Sequence, residues 1–91
     1  MNKRMECVVT GRVQMVMYRD FAARNARKLG LVGTVRNCAD GSVSVVAEGE
    51  ESALLQFLLL LRKGSVLSKV EDVTVDWRDI SEEYTAFSIS Y

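Results

Sequence analysis

The spacing of apolar residues changes several times along the chain, and each change marks an element. Glu6 to Thr10 is apolar and β-branched, which predicts a first strand. Gly11 opens a connection that runs to Met17. From Tyr18 to Leu29 the pattern is helical. Tyr18, Ala22, Asn25 and Leu29 share one face, with Phe21 and Ala26 at its edges, while Asp20, Arg24, Arg27 and Lys28 face away. Gly30 stands where a helix C-terminal cap belongs. Leu31 to Asn37 and Ser42 to Glu48 read as two strands joined through Ala39-Asp40-Gly41, a strong turn signal. Val43, Val45 and Ala47 share one face of the second, and Gly49 is expected to end this hairpin. Glu51 to Lys63 predicts a second helix with a core stripe of Leu54, Phe57, Leu58 and Leu61, and Leu55 at its edge. Its early glutamates and late Arg62 and Lys63 suit the helix dipole, and Gly64 caps it. Val70 to Asp79 alternates, with Val73, Val75 and Trp77 on one face; Phe87, Ile89 and Tyr91 alternate in a short closing strand.

The resulting order is β-α-β-β-α-β with a short terminal strand. Two helices cannot cover both faces of a small sheet. The expected fold is therefore α+β: a two-layer ferredoxin-like sandwich with an antiparallel-rich sheet and both helices on one face. Residues 1–91 read as a single domain.

Composition narrows the function classes. Twelve basic and twelve acidic residues cancel, so the chain lacks the basic excess that general nucleic-acid or anionic-membrane binding would need. The basic N-terminus leads into no apolar segment of a secretion signal. The longest apolar run, Phe57 to Leu61, is too short to span a bilayer, so the expected location is the cytoplasm. There, Cys7 and Cys38 read as two reduced thiols. The chain contains no histidine, which removes the commonest general base and transition-metal ligand. No carboxylate or cysteine cluster has ligand spacing, so no metal or cofactor is expected.

Two segments carry candidate chemistry. Gly11 to Phe21 joins a strand to a helix N-terminus, where unpaired amides and the dipole favour an anion. Arg19, in the first helical turn, could add a bidentate clamp on a phosphate. Taken alone, such an arginine is equally a solvated surface group. In Gly33 to Val43, Asn37 ends a strand before a turn, a place that ordinary turn chemistry also explains. Asp20 could be proposed as a base, but a carboxylate there complements the helix dipole.

Together these segments resemble the acylphosphatase signature. The resemblance lies in Gly11-Arg12-Val13-Gln14, Val16, Tyr18, Arg19 and Phe21, then in Gly33-Thr34-Val35-Arg36-Asn37 followed by Asp40-Gly41-Ser42-Val43. Leu29-Gly30-Leu31, Arg62-Lys63-Gly64 and the closing Phe87, Ile89 and Tyr91 are similar too, so it covers nearly the whole chain. The resemblance implies hydrolysis of small acyl phosphates to a carboxylate and inorganic phosphate, without a metal. Backbone amides of Gln14, Met15, Val16, Met17, Tyr18 and Arg19 would cradle the phosphoryl group. The Arg19 side chain would bind it, and Asn37 would orient the lytic water. Inorganic phosphate would be product and inhibitor, and the protein a monomer. An alternative is a catalytically weak module of the same family that binds phosphate or carbamoyl phosphate.

The sequence departs from the family pattern in two places. Met15 stands where these loops carry glycine. Either it holds a backbone conformation that glycine tolerates better, or its side chain packs under the loop and reshapes it. Met17 is expected to need no special account. Gly64-Ser65-Val66 lacks the usual proline, which should affect only that loop. Leu59 and Leu60 lie off the core stripe and read as singly exposed leucines, with a contact surface as the alternative.

Overall fold

The computed structural model describes residues 1–81 and 83–91. Seven elements follow one another: β1 (Asn2–Arg12), α1 (Tyr18–Lys28), β2 (Val32–Asn37), β3 (Val43–Glu50), α2 (Glu51–Lys63), β4 (Lys69–Arg78) and β5 (Phe87–Ser90). The strands form one sheet in the order β4-β1-β3-β2-β5. β1 is antiparallel to β3 and β4, and β2 to β3, whereas β5 runs parallel to β2. Two β-α-β units thus interlock, each leaving a gap that the other's first strand fills. Both helices cover one face of the sheet, as expected for the ferredoxin-like sandwich. Among the described residues no helix is long and apolar enough to cross a membrane.

Strand alternation supplies one wall of the core: Met5, Cys7 and Val9 from β1, Val43, Val45 and Ala47 from β3, with Val35, Val73 and Phe87. α2 buries the stripe read from its sequence, Leu54, Phe57, Leu58 and Leu61. The Phe57 ring meets Phe87 edge-on at 5.9 Å, which docks the short β5 against α2. Burying a side chain such as Phe57 stabilises the fold by about 1.5–3 kcal/mol. Burial also pushes the Cys7 thiol up to about 12, so it is inert.

Several boundaries differ from expectation, because pairing decides what a strand is. β1 starts four residues earlier than Glu6: Asn2 and Lys3 pair with Glu50 and Gly49. That same pairing carries β3 through Gly49 instead of ending there. At the other end Gly11 does not open a loop. It sits at a bulge where β1 shifts register against β4, with φ 116°, and a side chain there would strike the Lys69 carbonyl. On α1, Ala23 replaces Asn25 in the core; Asn25 is only partly buried and its Nδ2 donates to the Phe21 carbonyl at 2.9 Å. Trp77 shares a strand face with Val73 yet is exposed. Leu55 and Leu59 are exposed one turn apart, and Leu60 is half-buried. The loop lacking proline is closed by Ser68, whose hydroxyl accepts from the Ser65 amide at 2.8 Å and donates to the Ser65 carbonyl at 3.0 Å.

The start of β1 carries a buried polar cluster. Glu48, 1% exposed, accepts from the Ser81 hydroxyl at 2.7 Å, the Ser81 amide at 3.0 Å and Arg4 Nη1 at 3.3 Å. Burial by itself would raise its pKa, but the Ser81 donors and the Arg4 guanidinium together hold it below the usual carboxylate value. The cluster fastens the connection between β4 and β5 to the sheet.

Candidate active site

After β1, Val13 and Val16 turn into the core, which leaves Met15 and Met17 pointing outward. Met15 is 98% exposed and both methionines have φ 60°, whereas Gln14 and Val16 do not enter the left-handed region. Alternation of left-handed and ordinary residues turns successive N–H groups toward one side, forming an anion-binding nest. Among the described residues no protein acceptor takes the amides of Met15 through Asp20; the first helical bond runs from the Phe21 amide to the Met17 carbonyl at 3.1 Å. These donors converge on the positive end of α1.

The geometry settles the Met15 alternatives. Its side chain fills no space beneath the loop, and its backbone takes the conformation that suits glycine. Met17 does need an account, contrary to expectation. It is the left-handed N-cap of α1 and supplies no side-chain cap. Each such methionine costs about 1–2 kcal/mol relative to an ordinary conformation.

Gln14 does not aim its side chain at the nest. Its Nε2 donates to the carbonyls of Cys38 and Ser42, both at 2.8 Å, which ties the loop to the β2–β3 turn. Only its backbone amide remains for an anion. Tyr18 is buried, and its hydroxyl donates to the Leu61 carbonyl at 2.8 Å; burial and then Cys7 raise its pKa.

The turn after Asn37 is held by other residues. Asp40 Oδ1 accepts from the Ser42 hydroxyl at 2.6 Å and the Ser42 amide at 3.0 Å, which lowers the Asp40 pKa. The Cys38 amide donates to the Ser42 carbonyl at 2.8 Å. Among the described residues nothing bonds the Asn37 side chain. Ordinary turn chemistry therefore does not explain Asn37, whose carbonyl oxygen and NH2 stay available.

Arg19 is half-buried and fixed from β5. Its Nη1 donates to the Ser90 carbonyl at 3.0 Å, and its Cζ lies 4.7 Å from the centroid of the Tyr91 ring. Among the described residues no acceptor takes the remaining guanidinium donors. Asp20 is paired with Arg24 at 2.9 Å, consistent with a helix-start carboxylate rather than a base. Arg19 and Asn37 line one cleft of about 370 Å³, together with Met15, Met17, Ile89 and Tyr91. Among the described residues no three potential metal-ligating His, Cys, Asp or Glu side chains come together. The bracing roles of Gln14, Ser90 and Tyr91 were not legible in the sequence; the only signal for the last two was the closing Phe87, Ile89, Tyr91 alternation.

Comparison with known proteins shows the family. The Acylphosphatase family profile matches residues 5–89. The acylphosphatase of Dehalococcoides mccartyi strain BAV1 is 43% identical over 88 residues, covering 96% of this chain and 97% of that one. That of Thermus thermophilus is 50% identical over 74 residues, covering 81% and 84%. The crystal structure of acylphosphatase from Bacillus subtilis superposes with a TM-score of 0.94 at 41% identity, covering 100% of both chains. A nest of free amides, an arginine braced beside it and an unpaired asparagine across the cleft thus occur in a chain that belongs to the acylphosphatase family.

Proposed function

We propose that residues 1–91 act as a single-domain, monomeric, cytoplasmic hydrolase of small acyl phosphates that needs no metal. The observation that carries this reading is the meeting of Arg19, the unbonded loop amides and Asn37 in one cleft. In it, the amides from Gln14 to Arg19 and the Arg19 guanidinium bind the phosphoryl oxygens. They supply the positive charge that a metal supplies in many other phosphoryl-transfer sites. Asn37 holds a water in line with the scissile bond.

The water oxygen attacks phosphorus, and the bond from phosphorus to the acyl oxygen breaks. The carboxylate leaves with the bonding pair. An amide side chain cannot accept the water's proton, and no histidine is present, so the proton passes to a phosphoryl oxygen. A dianionic acyl phosphate and water thus give a carboxylate and a monoanionic phosphate. The leaving group is good, so positioning and charge stabilisation suffice. Inorganic phosphate, which matches the same donors, inhibits competitively.

The test is hydrolysis of acetyl phosphate and benzoyl phosphate after extensive dialysis against EDTA. Turnover is expected to persist, with competitive inhibition by phosphate. Loss of activity that Mg²⁺ or Zn²⁺ restores would overturn the metal-free mechanism.

A further inference from the structure

Three large, exposed apolar side chains surround the mouth of the cleft. Met15 and Tyr91 are each 98% exposed, and Met17 is 70% exposed. An anion site needs donors at its base, but nothing in phosphate binding calls for an apolar rim. Among the described residues, the one charged side chain lining the cleft besides Arg19 is Asp20, which is already paired with Arg24. Met17 is also shared with a second concavity of about 190 Å³, where Val16, Phe21, Val66 and Leu67 contribute apolar walls. An apolar path therefore leads from the anion site across Met17 to the loop after α2.

The substrate has one part that can occupy this path. With the phosphoryl oxygens on the amides, the acyl group must lie outside the nest, at the mouth. We infer that Met15, Met17 and Tyr91 form an acyl-chain subsite, extended by Val66 and Leu67, which selects acyl phosphates with apolar acyl groups longer than acetyl. This rests on the hydrolase reading above and names its substrate class. Methionine suits the task, since its flexible, polarisable thioether adapts to chains of different shape. Full burial of a methylene favours binding about fourfold, so an open rim should give about twofold per methylene.

The test compares kcat/KM for acetyl, butanoyl and hexanoyl phosphate, whose carboxylate leaving groups are closely matched. Because all three share the phosphate, the ratio between them is insensitive to damage in the nest. With four more methylenes, hexanoyl phosphate should be preferred over acetyl phosphate about fifteenfold by the native protein. Met15→Asn and Met17→Asn keep a residue that tolerates positive φ but remove the apolar surface, and each should reduce that ratio to about threefold or less. Leu67→Ser should lower kcat/KM for hexanoyl phosphate more than for acetyl phosphate. Equal kcat/KM across the series would overturn the subsite and leave the hydrolase reading standing. No turnover of any of the three would overturn the reading on which it rests. A flat series, with self-association in sedimentation that Leu67→Ser abolishes, would assign the patch to a second copy and overturn the subsite.

Discussion

The two ends of β1 solve opposite problems. At its start, Arg4 and Ser81 enclose the Glu48 carboxylate, whose accepted hydrogen bonds and neighbouring guanidinium outweigh its burial. Beyond its end, the segment from Met15 to Asp20 presents amides without an acceptor among the described residues, on a backbone held twice in the left-handed region. The first arrangement gains stability by surrounding a buried carboxylate with donors. The second gives up stability and leaves its donors open; the proposed role for them is to hold the phosphoryl group. Strain and unpaired amides gather at the start of α1, and paired polar groups gather where the chain closes a connection.

Arg19→Ala tests the ligand end most severely. Turnover is expected to fall by at least ~1000-fold, with weaker phosphate inhibition, because the main charged donor is gone. Arg19→Lys should not rescue it, since a point charge cannot replace the two-pronged contact. Steady-state kinetics giving a near-native kcat in either variant would sink the assignment.

Asn37→Ala should lower kcat by at least ~100-fold while phosphate still inhibits, because a group that places water acts mainly in the transition state. Lost phosphate inhibition in a folded variant would make Asn37 a binding residue instead. Thermal unfolding should change little, given that Asp40, Ser42 and Gln14 hold the turn.

At the paired end, Glu48→Gln is expected to destabilise the fold by about 1–3 kcal/mol while leaving the kcat of the folded protein intact. Glu48 has a folded pKa below its unfolded value. Its contribution is therefore fully present above the ordinary carboxylate range and is lost as pH falls through the folded value. Denaturant titrations should show the gap between native and variant shrinking below about pH 4. A gap that widens in acid would contradict the cluster's role.

The smallest effect concerns the strain itself. Met15→Gly should relieve up to about 1 kcal/mol, partly offset by the greater freedom of glycine in the unfolded chain. Tighter phosphate inhibition or a higher midpoint of unfolding supports this. Clear destabilisation would mean that the exposed Met15 side chain makes contacts that matter to the loop.

The helices were largely legible because their apolar stripes are local. α2 has the span and buried face that its leucines and Phe57 predict. Strand ends were less legible, because Asn2, Lys3 and Gly49 join the sheet through partners distant in sequence. Ala23 was missed because α1 contacts α2 as well as the sheet, so its buried arc is wider than one stripe. Arg19 and Asn37 were visible as residue types at a recognisable spacing. Their braces were not: the Gln14 amide group and the Ser90 carbonyl act across the fold, and a backbone carbonyl leaves no mark in a sequence. Met17 was misjudged because its side chain is ordinary for a surface and only its φ is unusual.

The strand that holds Arg19 is also the shortest of the sheet. β5 is four residues long and lies at the sheet edge, where among the described residues it pairs with β2; Phe87 packs on Phe57, and Arg27 of α1 donates to the Phe87 carbonyl at 3.0 Å. Short edge segments open in fluctuations far smaller than global unfolding. Each time β5 frays, Arg19 loses the carbonyl that aims it while the helices and central strands stay intact. The active site should then have a melting transition of its own, with turnover failing on gentle heating before helical circular dichroism changes, and with amides of β5 exchanging hydrogen well before those of β1.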